Sequence, residues 1–225
     1  MLPVVDPPPE HTGSASVIGV LLAAGTSSRY GEANKLLVTV DEDSGSDSRA
    51  SEFGENTSEP IVRHSAYTLL NAGLDHVLVV VGYESDRIRR ALSGLDVEFV
   101  ENLAYESGHA SSVRAGVQAL TNTDSAEKPV DAAVFGLGDM PYVDPESVRA
   151  LIRSYEENLG SALAAGYRGE RGNPVLFDRQ HFTTLVDCGG DIGGRQVLLS
   201  ASDGAIVETG DSGVRQDIDK SDDIR

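Results

Sequence analysis

A short apolar strand running straight into a loop of small residues constrains this chain more than any other stretch. From Val17 to Leu37 it reads VIGVLLAAGTSSRYGEANKLL. Val17, Ile18, Val20, Leu21 and Leu22 form a run too brief for a helix, and the residues after it predict a buried strand entering a tight loop. Ala23, Ala24 and Gly25 let backbone N–H groups come close to an anion, while Ser27, Arg29 and Lys35 add a hydroxyl and two cations within about a dozen residues. Such a loop suits a polyphosphate, although tight turns use small residues in any case. It contains neither G-x-x-x-x-G-K-[ST] nor G-x-G-x-x-G, which disfavours a kinase-like phosphate loop and a dinucleotide site.

The chain has 225 residues, enough for one well-packed core, and its evenly spread apolar runs predict a single domain. Its 36 acidic residues against 18 basic ones give a net charge of −18, which repels nucleic acid and anionic membrane surfaces. Only Lys35, Lys128 and Lys220 are lysines. An acidic, lysine-poor composition resembles proteins of salt-loving archaea, in which dense salt screens self-repulsion; an ordinary acidic cytosolic protein is the alternative. That one of three lysines sits in the small-residue loop argues for more than solvation. Cys188 is the only cysteine, so neither an intrachain disulfide nor a cysteine-cluster metal site is expected. No run approaches the length of a membrane span and no charged-then-apolar leader opens the chain, so a cytoplasmic protein is expected.

Residues 1–16, rich in proline, predict a disordered or loosely attached arm, with the folded domain spanning 17–225. LLVTV after Lys35 predicts a strand, and the acidic, serine- and glycine-rich stretch 41–59 a mobile insertion at a loop tip. A helix over Ile61–Gly73, a strand over Asp75–Val81, a helix over Glu84–Leu92 and a strand over Val97–Val100 follow. This alternation predicts an α/β chain with a mostly parallel sheet and helices on both faces, whose ligands bind beyond the carboxyl ends of the strands.

In ENLAYESGHASSVRAGVQAL (101–120), Gly108, Ser111 and Ser112 open a helix whose free N–H groups can receive an anion, or whose serines merely cap it. Asn102 and His109 receive no role. The strand over Asp131–Phe135 delivers GLGDMP, placing Asp139 where a hard cation could bridge it to phosphate. Asp144 and Pro145 start the next helix, to about Tyr155. Strands over Ser161–Ala165 and Asn173–Phe177 are joined by YRGERG, and a helix over Asp178–Val186 leads to CGGDIGGR, expected as a flexible loop.

Taken in order, L-A-A-G-x-S-x-R-x-G with K-L-L, G-D-M-P, R-G-N-P, G-D-I-G-G-R and the tail VRQDIDKSDDI resemble nucleotidyltransferases. The resemblance is closest to the molybdenum cofactor cytidylyltransferase group. It implies a single-domain Rossmann-like nucleotidyltransferase fold. It also implies nucleotide contacts from Leu22, Ala23, Ala24, Gly25, Ser27, Arg29, Lys35, Gly82, Gly108, Ser111, Ser112 and Asp139. Arg29, Lys35 and Asp139 would be catalytic, and Arg171, Gly172, Asn173, Pro174, Asp191 and Arg195 would face the acceptor. Mg²⁺ or Mn²⁺ would be held by Asp139 and Asp219, with Asp217 as the fallback. Gly194 stands where the family usually has alanine, and Lys220 with Ser221 replaces its usual Thr-Pro.

The implied reaction is attack by the phosphate of molybdopterin-type cofactor on the α-phosphate of CTP, with pyrophosphate released. The product would pass to a molybdenum hydroxylase. A guanylyltransferase using GTP for the same cofactor or a corrinoid precursor, a sugar- or alditol-phosphate nucleotidyltransferase, and a non-catalytic cofactor chaperone are the alternatives.

Overall fold

The computed structural model describes residues 2–9, 13–26, 33–40, 58–122, 129–187 and 193–224. Its elements are β1 (Val4–Val5), β2 (Val17–Ala23), β3 (Thr39–Val40), β4 (Glu59–Pro60), α1 (Ile61–Leu70), β5 (His76–Val81), α2 (Ser85–Ala91), β6 (Glu98–Glu101), α3 (His109–Asn122), β7 (Ala132–Leu137), α4 (Pro145–Glu156), β8 (Ala162–Tyr167), β9 (Glu170–Asp178), α5 (Phe182–Asp187), α6 (Gly193–Ser200) and β10 (Ala205–Glu208). Eight strands make one sheet in the order β1-β10-β8-β9-β7-β2-β5-β6. All are parallel except β9, which runs against β7 and β8. Among the described residues no helix is long and apolar enough to cross a membrane.

The centre is β2, hydrogen-bonded to β5 on one side and β7 on the other. Alternate residues serve opposite faces, as a two-residue period dictates. Val17, Leu21 and Ala23 join Val62, Ala66 and Leu69 of α1 and Val148 and Leu151 of α4 in one core. Val20, Leu22 and Ala24 join Val113 and Val117 of α3, Phe182 and Leu185 of α5 and Leu198 of α6 in the other. Each such leucine, valine or phenylalanine contributes about 1.5–3 kcal/mol by leaving water. From β2 the chain lays down β5 and β6 on one side, then crosses to β7 on the other. The crevice beyond the carboxyl ends of β2 and β7 is therefore a topological switch point, where the loops diverge and leave room for a ligand.

Three expectations change. LLVTV is not a continuous strand: Lys35–Leu37 is a 3-10 turn whose cap, Asn34, accepts a hydrogen bond from Leu36 N, and only Thr39–Val40 is extended, pairing with Glu59–Pro60. A side chain that satisfies the backbone locally competes with strand pairing. The N-terminal arm is not wholly loose, because Val4 and Val5 pair in parallel with Ile206 and Val207 and Arg153 Nε donates to the Pro8 carbonyl. Two β-branched residues suffice to add an edge strand. Gly193, Gly194 and Arg195 belong to the first turn of α6 rather than to a flexible loop. The tip of the acidic insertion, 41–57, lies outside the described residues, as does Cys188. The α4 start follows the sequence, with the Asp144 side chain accepting from Glu146 N and Pro145 at the first helical position.

Candidate active site

Two hydrogen bonds fix the loop after β7, one against the end of β2 and one against α1. Gly138 N donates to Leu22 O at 3.0 Å, and Ser65 Oγ of α1 donates to Gly138 O at 3.0 Å. A Cβ on Gly138 would lie 3.1 Å from Leu22 O, so glycine allows this close approach. Asp139, next in line, is thereby held at the mouth of the β2/β7 crevice. The C-terminal tail comes to meet it. Ile218 N donates to Asp139 O at 3.0 Å, and the buried Ile218 side chain packs with Val40 and Ile61. The Asp223 carboxylate accepts from Asp219 N and Lys220 N, setting the turn that follows.

The result is a three-charge cluster assembled from distant parts of the chain. Lys35 Nζ lies 2.7 Å from Asp139 Oδ2 and 3.1 Å from Asp219 Oδ1. Burial works against the lysine charge, but the Asp139 and then the Asp219 carboxylates outweigh it and raise the Lys35 pKa above its ordinary value. The ammonium therefore stays charged at neutral pH. Asp217 is exposed; Asp219 is the tail carboxylate that reaches Lys35.

The opposite wall is the turn before α3, organised by a buried asparagine. Asn102 Nδ2 donates to Ser111 Oγ at 2.8 Å and Ser112 Oγ at 3.1 Å, and its Oδ1 accepts from Ala104 N at 3.0 Å. Ser111 Oγ in turn donates to Gly108 O. Between this wall and the end of β2 lies a cleft of about 490 Å³, lined by Leu22, Ala24, Gly25 and Thr26 on one side, Tyr105, Gly108, His109 and Ser112 on the other, and Lys35 with Asp139 at the floor. Gly82 stands behind the lining: a Cβ there would lie 2.6 Å from Tyr105 Cβ, so glycine leaves room for the Tyr105 side chain. Ser111 likewise serves the wall from behind. Neither Tyr105 nor Thr26 was marked by the sequence, since a lone aromatic or hydroxyl carries no pattern, and Asn102 and His109 had been given no role.

Residues of the acceptor group lie to one side. Arg171, Gly172, Asn173 and Pro174 run along β9; the register Phe135↔Val175 brings Asn173 and Pro174 alongside Leu137, two residues before Asp139. A Cβ on Gly172 would lie 2.1 Å from Val214 O, so this glycine lets the tail that carries Asp219 cross β9. Arg171 is half-buried, and burial together with the neighbouring Arg195 cation lowers its pKa. Ser27, Arg29 and Asp191 lie outside the described residues.

No group of three or more His, Cys, Asp or Glu side chains able to hold a metal occurs among the described residues. Two hard carboxylates converging on one cation fit Mg²⁺ or Mn²⁺ even so, because such ions are commonly held by one or two carboxylates with phosphate and water completing the shell.

Comparison with known proteins gives the family and the fold neighbours. The model of a family described as MobA-like NTP transferase domain matches residues 19–205. Purine catabolism protein PucB of Bacillus subtilis is 29% identical over 215 residues, covering 92% of this chain and 93% of its own. A probable molybdenum cofactor guanylyltransferase of Natronomonas pharaonis is 30% identical over 134 residues, covering 59% of this chain and 54% of its own. Among solved structures, Rv0371c of Mycobacterium tuberculosis superposes with a TM-score of 0.66 at 25% identity over 93% of this chain and 96% of that one. The same protein has been solved in complex with manganese.

Proposed function

The chain belongs to the MobA-like NTP transferase family and is a nucleotidyltransferase, and from that premise we propose that it transfers CMP from CTP to the phosphate of molybdenum cofactor and releases pyrophosphate. The observation that carries the reading is Lys35 gathered with Asp139 and Asp219 at the floor of a cleft walled by the small-residue loop and the α3 N-terminus. Two polyanions must meet for such a transfer, so neutralisation and alignment dominate the barrier more than proton transfer does.

Asp139 and Asp219 would hold Mg²⁺ or Mn²⁺, which when bound supplies charge neutralisation to phosphate oxygens; the manganese complex of Rv0371c supports this. The backbone around Ala24 to Thr26 and the first turn of α3 cradle the nucleotide phosphates. Lys35, with Arg29, neutralises the α-phosphate and the departing pyrophosphate. Arg171 and Arg195 take the acceptor phosphate, with Asn173 and Pro174 beside Arg171 on β9; Asp191 is assigned to the same acceptor group. No side chain is required as a covalent nucleophile.

The acceptor reading is supported by the printed name of the Natronomonas relative, and the choice of CTP by the L-A-A-G, R-G-N-P and G-D-I-G-G-R motifs. That relative's name also favours a second reading, in which GTP is the donor. The product would serve a molybdenum hydroxylase in the cytoplasm, and the acidic composition supports assay in high salt. The test is pyrophosphate release with molybdenum-loaded pterin and Mg²⁺, comparing CTP, GTP, ATP and UTP. CTP preference upholds the reading, GTP preference moves the donor, and release only with a simple sugar phosphate replaces the acceptor. Asp139→Ala should lower turnover by about 10³-fold or more with the fold intact; near-normal turnover would remove its role.

A further inference from the structure

One ammonium occupies the space between the two carboxylates from which a divalent ion would be held. Lys35 Nζ touches Asp139 Oδ2 at 2.7 Å and Asp219 Oδ1 at 3.1 Å, and the same side chain is expected to meet substrate phosphate. A divalent ion held by the same two carboxylates would compete with the ammonium for their oxygens. We propose that Lys35 is a stand-in cation: it neutralises and spaces the Asp139–Asp219 pair while the cleft lacks nucleotide, keeps free divalent ions from settling there, and moves onto phosphate when metal and nucleotide enter together. The inference rests on reading Asp139 and Asp219 as the metal carboxylates.

Several features favour exchange over a permanent ion pair. Lysine is a compact charge on a flexible four-carbon stem and can turn to a new partner without the planar constraint of arginine. The Asp219 side chain is 41% exposed, so its bond to Lys35 is largely shared with water and readily released. The backbone of both residues is positioned without help from the lysine, Asp139 through the Gly138 and Ile218 bonds and Asp219 through the Asp223 turn. The Lys35 backbone is fixed by the Asn34 cap, so the exchange needs only side-chain rotation, and Gly25 and Thr26 line the same cleft. Metal without nucleotide must displace the ammonium from both carboxylates, whereas metal with nucleotide brings a phosphate that can receive it. Metal and nucleotide binding are thereby coupled, each strengthening the other by the same factor.

The test is Mn²⁺ binding to nucleotide-free protein at constant ionic strength, read from the electron paramagnetic resonance of free Mn²⁺. Lys35→Met keeps the unbranched stem and removes the charge. It should bind Mn²⁺ about tenfold tighter than the unaltered chain, and Asp139→Asn in the same background should abolish the gain. Equal or weaker binding by Lys35→Met overturns the proposal, as does a gain that survives Asp139→Asn.

A second measurement does not depend on the variant folding. The chain has three lysines, so [ε-¹³C]lysine labelling gives three side-chain signals, and Lys35 is identified by replacing Lys128 and Lys220 with arginine. Its signal should shift when CTP or GTP is added with Mg²⁺ and hold its position at the same Mg²⁺ concentration alone. A signal that ignores the Mg²⁺–nucleotide, or moves fully with Mg²⁺ alone, overturns the proposal. Neither experiment reads acceptor or product, so a mistaken acceptor or donor under the proposed function fails separately.

Discussion

Replacing Asn102 by alanine tests whether the cleft's second wall is held by one buried side chain. Asn102 is 4% exposed and makes three hydrogen bonds, two to the Ser111 and Ser112 hydroxyls and one from Ala104 N. Ser111 keeps its bond to Gly108 O and the Ser112 hydroxyl can rotate, but Ala104 N–H loses its partner. At about 1 kcal/mol net for each bond, the loss comes to about 3 kcal/mol. For a chain of this size that lowers the melting temperature by about 6–12 °C. The turn carrying Tyr105, Gly108 and Ser112 loosens with it, and nucleotide affinity should fall about tenfold, equivalent to about 1.4 kcal/mol. Urea unfolding and calorimetric nucleotide titration read the two effects separately. Asn102→Asp sharpens the assay: it keeps the acceptor for Ala104 N but places a negative charge behind the nucleotide site. Because that charge is buried without a cation beside it, this variant should be no more stable than Asn102→Ala and the weaker nucleotide binder. Unchanged nucleotide affinity in Asn102→Ala would refute the reasoning.

Other perturbations reach different parts of the molecule. Gly172→Ala puts a methyl group against the Val214 carbonyl, which backbone cannot yield without moving the tail; it should cost about 1–3 kcal/mol by urea unfolding and lower turnover further by displacing Asp219. On the proposed acceptor role of Arg171 and Arg195, Arg171→Ala should raise the acceptor KM about tenfold while nucleotide affinity holds; an unchanged KM would remove Arg171 from the acceptor site. Asp203 accepts from Ser161 Oγ at 2.7 Å and Ser161 N at 3.0 Å, and the Ser161 hydrogen bond lowers its pKa. Its stabilisation is therefore complete above the unfolded carboxyl value of about 3.9 and is lost as pH falls through the depressed folded value. Asp203→Asn should cost about 1 kcal/mol at neutral pH, with the gap to the unaltered chain closing toward pH of about 3; a gap independent of pH would contradict this.

Several features were legible in the sequence because their causes are local. The Val17–Leu22 run, the Asp144-Pro145 helix start and the apolar spacing of α1 each record a period or a cap, and each formed as read. The parallel sheet implied by alternating strands and helices was legible for the same reason. Lys35–Leu37 was misread because an asparagine side chain ties up the backbone there, and hydropathy does not register a cap of that kind. The β1 strand escaped notice because two valines in a proline-rich arm carry no period; only the open edge of β10 gives them a partner.

By itself the sequence determined most of the long strands and helices, since backbone preference and hydrophobic period act between near neighbours. Tertiary structure alone decided that Lys35 meets Asp219 across 184 residues of chain, that Asn102 anchors the α3 wall, and that Gly172 clears a path for the tail. Those outcomes depend on the order of strands in the sheet and on distances of about 3 Å between polar atoms. Both arise only when the two hydrophobic faces of β2 are buried together and the loops beyond the strand ends are forced into one crevice.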